Sequence, residues 1–444
     1  MLSRDLIMIN KKQENTEVVN LECDNLNLPK ESKRFSIKSN GTLFVIIFLL
    51  LAMSPITTSF DSRWSIFVAK SIYTEANIDL DEYINALESN SFYAIKKHNS
   101  HYYNRFPLGT PLLSMPLVFI FDICGYPILE KHRTLEKTIA SFFVALSAVF
   151  VFLLSSRKLS RKKSILLTIA YTFGTSMWST ASRALWQHGP SALMLVIALF
   201  ILIKSEDKEK LVQYVSLPLA YSFFVRPTNA VPILLLTIFV FLKYRKYFVR
   251  YILWALLVTL PFLIHNLLVY NNVLSPYYFP NRLSGDVTAT FIEAMLGNLV
   301  SPSRGLLMFS PFIIFSYFAV IEAIRDPRKN LLNGFLFLSI FLHWIVISKF
   351  PHWWGGHSYG PRFFADMMPF FAFLLIPFLE KHFGWDNVKK SLLSSLFWVL
   401  LLWSIFVNFK GATIWKVYLW NSHPTNVDET PYRLWDFSDP QFLR

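Results

Sequence analysis

The segment Ser59-Phe60-Asp61-Ser62-Arg63-Trp64 decides how the rest of the chain is read. It follows directly on an apolar run, Thr42 to Ile56, and carries the only acid between Gly41 and Ile72. Further along the same polar stretch stands Tyr102-Tyr103-Asn104-Arg105-Phe106-Pro107-Leu108-Gly109. An apolar run of this kind satisfies its backbone as a helix in hydrocarbon, so Asp61 is expected where headgroups meet water.

The remaining composition agrees. Of 444 residues, 53% are hydrophobic, 17% aromatic and only 16% charged. A water-soluble fold could not hide that much apolar surface, which makes the chain a polytopic membrane protein of all-α class. The formal charge of +14 is not gathered on one face, which argues against nucleic acid as a partner. It recurs in short clusters: Arg157 to Lys163, Lys204 to Lys210, Lys243 to Lys246, Arg325 to Lys329 and Lys381 to Lys390. That is the pattern of cytoplasmic loops. Between clusters lies enough apolar sequence to cross and return, at about 20 residues per crossing. The turning points at Arg183–Pro190, Arg226–Asn229, Tyr270–Arg304 and Lys349–Arg362 then face outward.

This spacing predicts about eleven spans, with the N-terminus cytoplasmic and the C-terminus extracytoplasmic. Residues 1–40 read as a disordered cytoplasmic tail, 41–408 as the transmembrane domain and 409–444 as a short extracytoplasmic tail. A first outer loop, 59–137, would carry interfacial helices. Within it, reading Pro107 to Gly125 as a helix in the interface keeps every basic cluster inside. Two cysteines, Cys23 and Cys124, exclude a disulfide framework and a cysteine-based zinc site.

Every candidate functional residue falls on the expected outer face. Asp61 could take a proton from an incoming hydroxyl. Arg63, Arg105, Arg304 and Arg362 offer forked donors that suit phosphate oxygens. His188 closes one pair of spans. The loop Pro351-His352-Trp353-Trp354-Gly355-Gly356-His357-Ser358-Tyr359-Gly360-Pro361-Arg362 adds Trp354, His357 and Tyr359, with aromatic faces for a sugar ring. The bland alternatives are an interfacial ion pair, a snorkelling arginine and an aromatic belt. No histidine pair has metal-ligand spacing on a helix face. No Gly-rich phosphate loop occurs, so activating energy must arrive on a membrane-borne substrate.

Asp61 just after the first span, followed by Arg105-Phe106-Pro107-Leu108-Gly109 in the same loop, resembles the C-type (GT-C) membrane glycosyltransferases. The closest likeness is to the protein O-mannosyltransferase and aminoarabinose transferase branch, and Trp354 to Arg362 looks like a loop of bacterial members. The resemblance implies an inverting sugar transfer from a polyprenyl-phosphate donor to an extracytoplasmic lipid, glycan or protein acceptor, at a bacterial inner membrane. It makes Asp61 the general base and Arg105 a donor-phosphate contact, and it leaves a divalent metal open. Ser62 stands where many members have a second acid, and Phe106 replaces a proline. Two other classes stay open: a transporter or flippase of a lipid-linked saccharide, and a polysaccharide ligase or polymerase.

Overall fold

The computed structural model describes residues 37–58, 61–84, 94–278 and 290–444. Most of the expected tail 1–40 lies outside the described residues, as do Ser59 and Phe60. What is described is helical almost throughout.

At the centre stand the helices Ile128–Ser155 and His188–Lys204, packed along each other. The stretch Arg362–Lys381 is the most enclosed of the long apolar segments, with 83% of its apolar window buried, whereas Arg245–Tyr270 has 11%. The second is therefore a peripheral element whose leucines and valines face outward, among them Leu253, Leu257 and Leu268. Such a face is stable only against an apolar solvent.

Among the described residues, four helices are long and apolar enough to cross a bilayer, and six further apolar helices run 10–17 residues. Several short ones follow each other end to end, as Glu209–Val215 and Ser216–Val225 do. An expectation of eleven crossings therefore rests on tandem pieces rather than on long single helices.

Local chemistry explains the helix ends. Thr290 accepts a hydrogen bond from the Glu293 amide at 3.1 Å, with an acid at the third helical position, as in a capping box. Asn387 caps Val388–Thr413 through the Lys390 amide at 2.9 Å. That helix runs past Asn408, where the span was expected to stop.

The first loop departs from expectation. Besides the helices Trp64–Thr74 and Gly109–Ile123 it holds an antiparallel hairpin, Ile95–His98 with His101–Asn104. Among the described residues this hairpin is the only sheet, and the rest is mostly helical, in keeping with the all-α expectation. Its turn uses Asn99 and Ser100, both at positive φ (49° and 70°), a two-residue geometry that matches strand twist. The helix Ile128–Ser155 begins within the stretch expected as that loop, with a kink at Lys131.

Candidate active site

The first helix, Ile37–Met53, ends with its carbonyls claimed by a buried arginine. Arg183 donates to the Ser54 carbonyl at 2.9 Å and the Leu51 carbonyl at 2.5 Å, and its Nε reaches the Trp178 carbonyl at 3.1 Å. Lys137 adds a bond to the Ser54 carbonyl at 3.1 Å. Four carbonyls lack partners at any helix end, and cationic donors suit them best. The chain leaving this cap is pinned again a few residues on. The Ser62 hydroxyl donates to Glu136 Oε2 at 2.6 Å, and the charge of the buried Arg63 acts on the same carboxylate. Asp61, with Ser62 and Ser65, lines a cavity of about 530 Å³.

Arg105 reaches that cavity from the end of the hairpin. Its amide donates to the Ala94 carbonyl at 2.7 Å, and the next amide, of Phe106, is taken by Asn104 Oδ1 at 3.1 Å. Pro107 then turns the chain into Gly109–Ile123. Gly109 is required there: a Cβ would stand 2.5 Å from the Phe224 carbonyl, and Tyr221 donates to the Gly109 carbonyl at 2.7 Å. This close approach seats the Arg105 loop against Ser216–Val225, which leads directly into Arg226.

Among the described residues, three guanidinium groups thus line the cavity, those of Arg105, Arg226 and Arg362, together with Asp61, His188 and His352. Arg362 Nη2 stands 3.9 Å from Asp61 Oδ2. Its guanidinium lies 4.3 Å from the Trp186 ring centroid and 5.3 Å from that of Phe363, so it is held between aromatic faces. Gly355 sits at φ +76°, and a Cβ on it would meet Arg362 Nε at 2.9 Å. The glycine therefore makes room for the arginine.

At the cavity floor, Arg226 Nε contacts Asp366 Oδ2 at 2.6 Å, and His188 Nδ1 lies 3.3 Å from the same oxygen. Asp366 is fully buried. Neither Arg226 nor Asp366 was singled out as a functional residue from sequence. A signal for them exists. Arg226 is the sole Lys or Arg between Lys210 and Lys243, and Asp366 the sole acid between Pro351 and Leu379. Lone charges of opposite sign in apolar surroundings are costly and pair with each other.

The remaining expected site residues do not line the cavity. Arg63 is buried, with its charge acting on Glu136. Arg304 is 1% exposed and donates to five oxygens: the carbonyls of Trp354, Ser303 and Gly356, Gln441 Oε1 and Asn421 Oδ1. Burial pushes its guanidinium down to about 9. Its donors close a clamp between two loops and the C-terminal segment. Trp354 belongs to the same clamp through Nε1 to Asp428 at 2.7 Å. Tyr359 is buried with its hydroxyl on the Val407 carbonyl at 2.7 Å. His357 faces Asn426 Oδ1 at 2.8 Å, on the surface. The loop 351–362 therefore divides, one half gripping the C-terminal segment and the other bringing His352 and Arg362 to the cavity.

Among the described residues one group of metal-type ligands comes together, Asp79, Asp81 and His101, with ligand atoms within 4.8 Å of one another. None of the three lines the cavity, and His101 Nδ1 already pairs with Asp81 Oδ2 at 2.7 Å.

No protein-family model matches the sequence, and no curated protein matches it. Among solved structures, the fold is similar to that of ArnT from Cupriavidus metallidurans, crystallised bound to undecaprenyl phosphate. The TM-score is 0.55 at 10% identity, over 85% of this chain and 72% of that one. At that identity the likeness is one of fold alone.

Proposed function

We propose that this chain is an integral-membrane glycosyltransferase that moves a sugar from a polyprenyl-phosphate-linked donor to an extracytoplasmic acceptor. The observation that carries this reading is the convergence of the Asp61 carboxylate with the guanidinium groups of Arg105 and Arg362 on one cavity, in a fold similar to ArnT.

The chemistry follows from the charges. An acceptor hydroxyl attacks the anomeric carbon while Asp61 takes its proton, and the bond from that carbon to the phosphate oxygen breaks. Negative charge then grows on the leaving phosphate, where forked, preplaced donors stabilise it most. Arg105 and Arg362 fill that role. Arg362 stands 3.9 Å from Asp61, so the base and a phosphate donor would face the same space. Attack opposite the leaving group inverts the sugar. Trp186, Phe363 and His352 offer ring faces to the sugar and acceptor. The orientation belongs to the same reading: N-terminus inside, the Asp61 face outside, the short apolar helices completing about eleven crossings of a bacterial inner membrane.

The test is turnover of a radiolabelled polyprenyl-phosphate sugar by purified protein. Asp61→Asn is expected to lower it by a factor of about a hundred or more, while undecaprenyl phosphate still binds. Undiminished transfer in that variant removes Asp61 from the mechanism. Absence of both transfer and lipid-phosphate binding in the wild type ends the reading as a whole.

A further inference from the structure

Resting on the reading just given, we infer that Arg226 is a further contact to the departing phosphate, and that Asp366 and His188 are positioning residues which hold it in place.

The hydrogen-bond pattern fixes the roles. A carboxylate only accepts and a guanidinium only donates. His188 Nδ1, 3.3 Å from Asp366 Oδ2, therefore carries the proton. His188 Nε2, 3.5 Å from Arg226 Nη1, is the acceptor. The imidazole is thus a bridge whose two nitrogens are both engaged, which leaves it no free edge for proton transfer to substrate. Arg226 Nε is shared between Asp366 Oδ2 at 2.6 Å and Thr228 Oγ1 at 3.0 Å. The Phe363 ring lies 5.6 Å from its guanidinium carbon. Carboxylate, imidazole, hydroxyl and ring together leave the guanidinium one orientation, with the residue on the cavity wall beside Arg105 and Arg362.

Three segments far apart in sequence supply this device: His188 opens one helix, Arg226 follows another, and Asp366 lies in a third. Pairing to Asp366 compensates the buried charge of Arg226, so its cost in the apolar body is met before any ligand arrives. A substrate phosphate then gains a donor that needs no reordering, which is where preorganised sites derive their advantage. If the triad served folding alone, its position on the cavity wall would be incidental to binding.

The experiment measures undecaprenyl phosphate affinity of full-length protein in lipid nanodiscs. Arg226→Gln is expected to weaken binding by about tenfold or more. Asp366→Asn should weaken it similarly, because the guanidinium is then free to turn away. The double variant, Arg226→Gln with Asp366→Asn, contains no unpaired buried charge, and it should bind no worse than Arg226→Gln alone. Asp366→Glu keeps the charge and the fold but displaces the guanidinium, giving an intermediate loss; it also serves should Asp366→Asn not fold. Losses that multiply in the double variant, or Asp366→Glu binding like the wild type, overturn the positioning role. Wild-type affinity in Arg226→Gln alongside weakened binding in Arg105→Ala leaves the proposed function standing and removes this inference alone. A wild type that does not bind the lipid phosphate removes both.

Discussion

Replacing Arg304 by lysine separates a clamp from a ligand contact. The guanidinium donates to five oxygens, two of them on Asn421 and Gln441 near the chain's end. An ammonium has three donors, so at least two acceptors lose theirs. A hydrogen bond to a charged group contributes about 1.5–3 kcal/mol, which puts the gross loss at about 3–6 kcal/mol. Gln441 Oε1 also accepts from the Gly360 amide at 3.3 Å, and Asn421 Oδ1 from Gln441 Nε2 at 3.5 Å. These weaker partners reduce the expected cost to about 2–4 kcal/mol. Local opening of the C-terminal segment should then rise by about 30-fold to nearly a thousandfold. Hydrogen exchange read by mass spectrometry on peptides covering 417–441 and 353–360 measures that directly. Undecaprenyl phosphate affinity should stay within about twofold, since the residue does not reach the cavity. Unchanged protection together with a tenfold loss of lipid-phosphate affinity refutes the clamp and returns Arg304 to the binding site.

Other outcomes follow from the same geometry. Arg105→Ala should raise the apparent KM for the polyprenyl-phosphate donor by about tenfold or more while leaving acceptor KM nearly unchanged; equal effects on both substrates would count against a donor-phosphate contact. Gly355→Ala places a Cβ 2.9 Å from Arg362 Nε and strains a positive φ, so turnover should fall by about tenfold at a stability cost of about 1–2 kcal/mol; turnover equal to wild type would show that Arg362 tolerates displacement. Cys124 is exposed at the end of Gly109–Ile123. In a Cys23→Ser background a membrane-impermeant maleimide should label it in intact cells, and labelling only after permeabilisation reverses the proposed orientation.

The sequence was most legible where polar residues interrupt apolar ones. Asp61, Arg105 and Arg362 stand out by that contrast, and the structure brings all three to one cavity. Arg304, Trp354 and Tyr359 stand out equally, yet their partners are Gln441, Asn421, Asp428 and the Val407 carbonyl. An arginine that binds phosphate and one that binds carbonyls look alike until the long-range partners are known. Arg226 and Asp366 were passed over for the opposite reason. Each is a single charge beside an apolar run, about 140 residues from the other in sequence, and their mutual compensation exists only in three dimensions. The hairpin in the first loop was hidden because Lys96, Lys97, His98 and His101 give no period-2 alternation, and its pairing is set by the Asn99-Ser100 turn instead.

The arginine cap on the first helix has a mechanical consequence. Arg183 and Lys137 tie the exit of that helix to the Trp178 segment and to Ile128–Ser155, and Glu136 ties Ser62 to the same column. Ser141 bonds the Ser182 carbonyl as well, at 3.3 Å. Asp61 and the 182–188 turn are in effect riveted to one post. Across the cavity, Tyr277 reaches Gln187 at 3.4 Å, and the Phe106 and Tyr277 rings lie tilted to each other at 5.6 Å between centroids. The distance from Asp61 to that column should therefore change little when a ligand enters the cavity.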